Sequence, residues 1–256
     1  MTDPHQLAEI LLDAERRRSP VAPLTRKYPF LDVDTAYKTQ SILVERRLLA
    51  GERVIGAKLG LTSAVKRHAL GLDEPVHGRL TSAMVLPFGE PVPLAELIHP
   101  RAEPEIAFVI GRRIEGPVTV AGVLRATEAV LPAVEIVDSR YASAFRVPDS
   151  IADNAGAARF VLGTRARPPR ELADLDVLGC VFRSRHGIAT AAGGAAMGHP
   201  AAAVAWLAGA LTGRGEAIEE GAVVLTGGLT ASVALRPGGL VTAEFDGLGP
   251  LTVRAV

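Results

Sequence analysis

A chain of 256 residues, 48% of them hydrophobic, is long enough for one large domain with a buried core, or for a domain carrying a helical extension. Its 28 lysines and arginines balance 28 aspartates and glutamates, so there is no basic excess for sequence-independent phosphate binding, and a nucleic-acid partner is excluded. The single cysteine, Cys180, excludes an internal disulfide and a cysteine-based zinc site and fits a reducing cytoplasm.

The opening Met-Thr-Asp-Pro leads into charged, amphipathic sequence without the basic end and apolar run of a signal peptide. Asp3 reads as an N-cap with Pro4 at the first helical position. Leu7, Ile10, Leu11 and Ala14 then recur at helical spacing, and Arg16-Arg17-Arg18 suits the negative pole of that helix. Asp34 is expected to open a second helix, with Tyr37, Ser41, Val44 and Leu48 on one stripe and Gly51 as its stop. Residues 1–52 therefore read as a helical N-terminal extension.

From Arg53 the texture changes to short apolar runs punctuated by glycine. Val54 to Thr62 reads as a strand with Lys58 in its middle; Ser63 caps a short helix ending at Gly71, and Pro75-Val76-His77-Gly78 makes a turn. A proline-rich segment from Pro87 to Pro100 delivers the chain to the strand Arg101 to Phe108. Thr119 caps another helix, which hands over to the buried-looking strand Leu131 to Val137. The polar segment between Ser139 and Gly156, with Asp149, Asp153 and Asn154, is expected to be a long loop covering an active site.

The apolar stretch Ala191 to Leu211 is interrupted by Gly193, Gly194, His199 and Pro200, so it reads as buried, with no membrane span. Within it Pro200 opens a helix through Ala203, Val204, Leu207 and Leu211, buried or at a subunit contact. Four strands close the chain: Ala222 to Thr226, Ala231 to Leu235, Leu240 to Phe245 and Leu251 to Val256. No internal repeat or low-complexity linker divides residues 1–256, so a single β-rich domain with helical decoration is the simplest organisation.

Three carboxylates and a lysine are the candidate site residues. In a strand, period 2 puts Glu103, Glu105 and Ala107 on one face and Ile106, Phe108 and Ile110 on the other, with the two acids roughly 7 Å apart. They either flank one cation or form a solvated edge face. Glu135 has apolar neighbours on both sides and needs a partner, a metal ion or an arginine such as Arg140. Three carboxylates from two strands, without nearby His or Cys, suit Mg²⁺ or Mn²⁺. Lys58, between glycines, either snorkels from an edge or sits half-buried, where burial lowers its pKa and an ion pair with a glutamate opposes that shift.

The segments Gly56-Ala57-Lys58-Leu59-Gly60-Leu61-Thr62-Ser63, Pro100 to Phe108 and Pro132 to Arg140 resemble the 2-keto-4-pentenoate hydratase and 4-oxalocrotonate decarboxylase family of the fumarylacetoacetate hydrolase superfamily. Ala152-Asp153-Asn154-Ala155, Gly198-His199-Pro200 and Leu225 to Thr230 extend the likeness in order along the chain. It implies an α+β fold: a mixed β-roll of the fumarylacetoacetate hydrolase C-terminal-domain type, helical at the N-terminus. It implies a divalent metal on Glu103, Glu105 and Glu135, an essential Lys58, and substrate contacts at Leu59, Thr62, His77, Arg140, Asp153, Asn154 and Thr226. It also implies a small 2-oxo acid substrate from meta-cleavage of aromatic compounds, and a homo-oligomer or a hydratase–decarboxylase complex.

Hydratases of this family usually show Pro-Asp-Phe-Gly where Pro75-Val76-His77-Gly78 stands, and the missing acid leans towards a decarboxylase of a 2-oxo-3-enedioate. Asp138 to Tyr141 and Thr226-Gly227-Gly228 lean the same way, whereas Glu45 to Gly56 and Pro100 to Glu103 are at least as hydratase-like. Gly156 replaces a serine common to both branches. A hydratase of 2-hydroxypenta-2,4-dienoate is the alternative, and a non-catalytic partner subunit the third reading.

Overall fold

The computed structural model describes residues 2–69 and 72–256. Helix α1 (Pro4–Arg17) begins as its sequence dictates: the Asp3 carboxylate accepts the His5 N–H at 3.0 Å, and Arg16 and Arg17 occupy the last turn. After the single turn of α2 (Leu24–Lys27) comes α3 (Val33–Leu49). Its cap is Asp32 rather than Asp34: Asp32 accepts the Thr35 N–H at 2.7 Å, and Asp34 lies in the first turn. The buried face is also rotated from the expected stripe. It runs through Ala36, Tyr37, Gln40, Leu43 and Val44, and leaves Leu48 exposed. These helices share a core of Leu7, Leu11, Leu24, Tyr37 and Leu43 with Val76, Tyr141 and Ile151 from the rest of the chain.

Two sheets follow. The larger has β1 (Val54–Gly60), β2 (Val76–Thr81), β3 (Arg101–Ile110), β4 (Thr127–Val137), β5 (Ala157–Leu162) and β8 (Val223–Leu225) in the order β2-β1-β8-β3-β4-β5, with β9 (Val233–Ala234) on β3. It is mixed, because β1 and β8 run parallel while the other pairs are antiparallel. The smaller sheet, β11-β10-β6-β7, is built from β6 (Gly179–Ser184), β7 (Gly187–Ala192), β10 (Leu240–Phe245) and β11 (Gly249–Arg254). The expected turn at Pro75 to Gly78 is instead the start of β2, paired with β1. Helix α4 (Ala64–Ala69) follows Ser63 as expected, and its proposed stop at Gly71 lies outside the described residues.

One face of the large sheet carries the main core, with Ile106, Phe108, Val134 and Ile136 packed against the small sheet, α5 (Val120–Ala126) and α7 (Pro200–Thr212). Among the described residues no helix is long and apolar enough to cross a membrane. The expected covering loop is largely ordered inside the molecule as α6 (Val147–Ala152) and a following turn. Its polarity is used internally: the Asp149 carboxylate accepts Thr25 N–H at 2.8 Å, Thr25 Oγ1–H at 2.6 Å and Arg146 N–H at 2.9 Å. The α+β class and the mixed β-roll agree with expectation.

Candidate metal centre

Strand β3 is central, flanked by β4 on one edge and by β8 and β9 on the other, so Glu103 and Glu105 are not on a solvated sheet edge. Pro104, which has no N–H to donate, is tolerated there for a definable reason. Between the short pairings with β8 and β9 the chain swings away from β3, and opposite Pro104 it returns the Leu229 N–H, 3.0 Å from the Pro104 carbonyl. That gap holds the Gly227-Gly228 turn. Gly227 N–H donates to Glu105 Oε2 at 2.7 Å, and a Cβ on Gly228 would lie 2.9 Å from Glu103 Cδ. The backbone thus approaches the acids as only glycine permits.

The register places Glu103 opposite Glu135, and Glu105 one pair further along, opposite Ala133. One carboxylate oxygen from each glutamate lies within 4.8 Å of the other two. Glu105 and Glu135 are wholly buried, and among the described residues Glu105 Oε1 and Glu135 Oε1 have no hydrogen-bond donor. Lys58 enters from β1 on the same face, 3% exposed, with Nζ 3.1 Å from Glu135 Oε2 and donating to the Ala155 carbonyl at 3.0 Å. The partner of Glu135 is therefore Lys58, and Arg140 pairs with Asp153.

Burial raises Glu105 well above the carboxylate range; the charge of Glu135 raises it further, and Lys58 opposes. Burial likewise raises Glu135 against the pull of Lys58. Burial lowers Lys58, but the charges of Glu135, Glu105 and Glu103 outweigh it and hold the ammonium above its ordinary pKa. The lysine is stabilised as a cation, the outcome an ion pair predicts. Orphaned, mutually repelling oxygens without a nitrogen or sulfur ligand suit a hard divalent cation, which satisfies the lone pairs and removes the repulsion.

The remaining expected contacts fall into two groups. Leu59 and His77 are cross-strand partners, as are Lys58 and Gly78. Paired residues share a face, so Leu59 and His77 point away from the glutamates. Leu59 lies in the main core, and His77 stacks on Tyr37 with centroids 4.6 Å apart. Val76, partner of Gly60, is instead the β2 side chain on the Lys58 face. Thr62 packs near the glycine turn, within 2.2 Å of where a Cβ on Gly227 would sit, and Thr226 Oγ1–H donates to the Ile106 carbonyl at 2.8 Å. Arg140, Asp153 and Asn154 are buried, each with its polar atoms bonded within the protein. The Gly227 N–H and the Ala155 carbonyl are site groups that side-chain reasoning did not find. The paired glycines at 227 and 228 were the available signal for the first; a backbone carbonyl leaves none.

Residues 59–256 match the family model described as fumarylacetoacetate (FAA) hydrolase C-terminal. The chain belongs to this family. Within it, the chain is 40% identical over 248 residues to 2-keto-4-pentenoate hydratase of Paraburkholderia xenovorans (strain LB400), covering 95% of this chain and 91% of the relative. It is 38% identical over 253 residues to 4-oxalocrotonate decarboxylase of Pseudomonas sp. (strain CF600), covering 98% and 96%. The solved structure of 4-oxalocrotonate decarboxylase from Pseudomonas putida G7, complexed with magnesium and adipate, superposes with a TM-score of 0.95 at 35% identity, covering 99% of this chain and 97% of that one. The expected resemblance is thereby borne out, and both names agree with the expected lyase class.

Proposed function

We propose that the protein is a metal-dependent decarboxylase of a 2-oxo-3-enedioate, of the 4-oxalocrotonate type, acting in meta-cleavage degradation of aromatic compounds. The observation that carries this reading is a buried lysine ammonium set against a cluster of three carboxylates on one sheet face. Glu103, Glu105 and Glu135 would hold Mg²⁺ or Mn²⁺, and the magnesium in the P. putida decarboxylase supports that assignment. When bound, such an ion supplies a Lewis acid for the carbonyl of a chelated 2-oxo acid.

The chain's own part is to hold and move a proton. Lys58 Nζ is kept charged by Glu135 and aimed by the Ala155 carbonyl. As carbon dioxide leaves, the electron pair of the broken carbon–carbon bond runs through the double bond to the 2-oxo oxygen, and Lys58 is the proton donor placed beside the cluster for the dienolate so formed. Decarboxylation is favoured over hydration by Val76, buried on the Lys58 face at the position where family hydratases usually carry aspartate. Hydration of 2-hydroxypenta-2,4-dienoate is the second reading, supported by the hydratase relative at 40% identity. One catalytic unit with its helical extension, assembled as a homo-oligomer in the cytoplasm and open to pairing with a hydratase, completes the proposal.

The test uses purified protein with Mg²⁺ and each substrate, with carbon dioxide measured against 4-hydroxy-2-oxo acid. Carbon dioxide release is expected, and formation of the hydroxy acid alone would sink the decarboxylase assignment. Glu105→Gln and a chelator should each reduce turnover by about a hundredfold or more and weaken Mg²⁺ binding. Turnover by the protein alone excludes a non-catalytic subunit.

A further inference from the structure

The turn after α6 holds its backbone in an unusual conformation. Asn154, Ala155 and Gly156 have φ of 51°, 51° and 72°, three successive left-handed residues of which only the last is glycine. L-residues avoid this region because Cβ crowds the following carbonyl, so neighbouring contacts must impose it. Those contacts are all present. Asn154 lies against β2 like a short strand: its Oδ1 accepts the Arg79 N–H at 2.7 Å and its Nδ2 donates to the Arg79 carbonyl at 2.9 Å. Gly78 makes room, since a Cβ there would sit 2.3 Å from the Asn154 carbonyl oxygen.

Arg140 holds the other end. Its Nε and backbone N–H donate to the Asp153 carboxylate, Nη2 donates to the Asp153 carbonyl at 2.7 Å, and Nη1 to the Asp138 carbonyl at 2.9 Å. Arg140 is 1% exposed, and all three of its guanidinium nitrogens are held in these bonds, which turns it inward to the turn. The Gly156 N–H closes the turn on the Asp153 carbonyl at 2.9 Å, and Asp138 N–H binds the Gly156 carbonyl at 2.8 Å. What the turn presents to the site is the Ala155 carbonyl, 3.0 Å from Lys58 Nζ.

We propose that Arg140, Asp153 and Asn154 are positioning residues. They lock the left-handed turn so that the Ala155 carbonyl fixes the Lys58 ammonium beside Glu135. The inference rests on the reading of Lys58 as the proton donor. It differs from the substrate contact that family resemblance implies for the same three residues.

Two substitutions test it. In Arg140→Lys a single ammonium cannot reproduce a fork that points in three directions. Asn154→Gly keeps the backbone conformation accessible and removes only the bridge to Arg79. Both are expected to lower kcat by about tenfold or more while KM and Mg²⁺ affinity stay within about twofold. In ¹⁵N-lysine spectra of the Mg²⁺-loaded protein without substrate, both should shift or broaden the Lys58 ammonium resonance. Thr25→Val loosens the other anchor of α6 and serves as the structural control: it should lower Tm but leave kcat and that resonance unchanged.

An unmoved resonance in a folded variant, a loss confined to KM, or a Thr25→Val variant matching the other two would each overturn the proposal. A shifted resonance in a protein whose wild type turns over neither substrate would leave the positioning role standing and remove the assigned reaction.

Discussion

His77 is 2% exposed, stacked on Tyr37 and facing Trp206, with neither ring nitrogen hydrogen-bonded among the described residues. Burial, with the nearby charges of Arg79 and Arg214, holds its imidazole neutral and drives its pKa down to about 3. An unfolded histidine titrates near 6.5, so between about pH 6.5 and 3 the unfolded chain binds the extra proton and stability falls as pH falls. The loss reaches about 2 kcal/mol at pH 5. His77→Phe keeps the ring stack and should remove that part of the difference between denaturant unfolding at pH 7 and at pH 5; an identical pH dependence would refute it. The glutamates and Lys58 were legible in the sequence because charges inside apolar runs are conspicuous. The orientation of His77 was not, because the face it occupies is set by its register with Leu59 on another strand.

Strand β1 lies so close to β8 that a Cβ on Gly56 would sit 1.8 Å from the Val223 carbonyl oxygen. Gly56→Ala must push the two strands apart at the end of the ladder that positions Lys58. The expected cost is about 1–3 kcal/mol, seen as a lower urea midpoint together with reduced kcat; an unchanged midpoint would contradict the close approach. At this scale local chemistry was informative where it is self-contained. Asp3-Pro4 announced α1, and Thr119 announced α5, whose Gly122 N–H it caps. The apolar runs Ala222 to Thr226 and Ala231 to Leu235 announced β8 and β9 as strands, but their pairing with β1 and β3 is set by long-range partners, which no local pattern records. The segment from Ser139 to Gly156 was read as one long loop, without its helix α6, because buried polar anchors and solvated loop residues are the same residue types. Only Thr25, from a distant helix, reveals that Asp149 is an anchor.

The N-terminal helices are part of the catalytic unit's interior. Gln40 Nε2 on α3 donates to the His77 and Ile151 carbonyls, both at 2.9 Å, tying β2 to α6, and Val76, Ile151 and Ala155 complete their burial in the helical cluster. A chain beginning at residue 53 should therefore expose this apolar surface, lose a cooperative thermal transition and lose turnover; a folded, active fragment would show the helices to be dispensable. The strand order also has a temporal meaning. Glu103, Glu105 and Glu135 sit on a hairpin of β3 and β4, adjacent in the chain and formed through comparatively local contacts. Lys58 is joined to that hairpin through β8, inserted between β1 and β3 from residues 223–225. A growing polypeptide can thus assemble its acidic trio well before Lys58 joins it, and on the proposed roles readiness to hold an ion precedes readiness to turn over substrate.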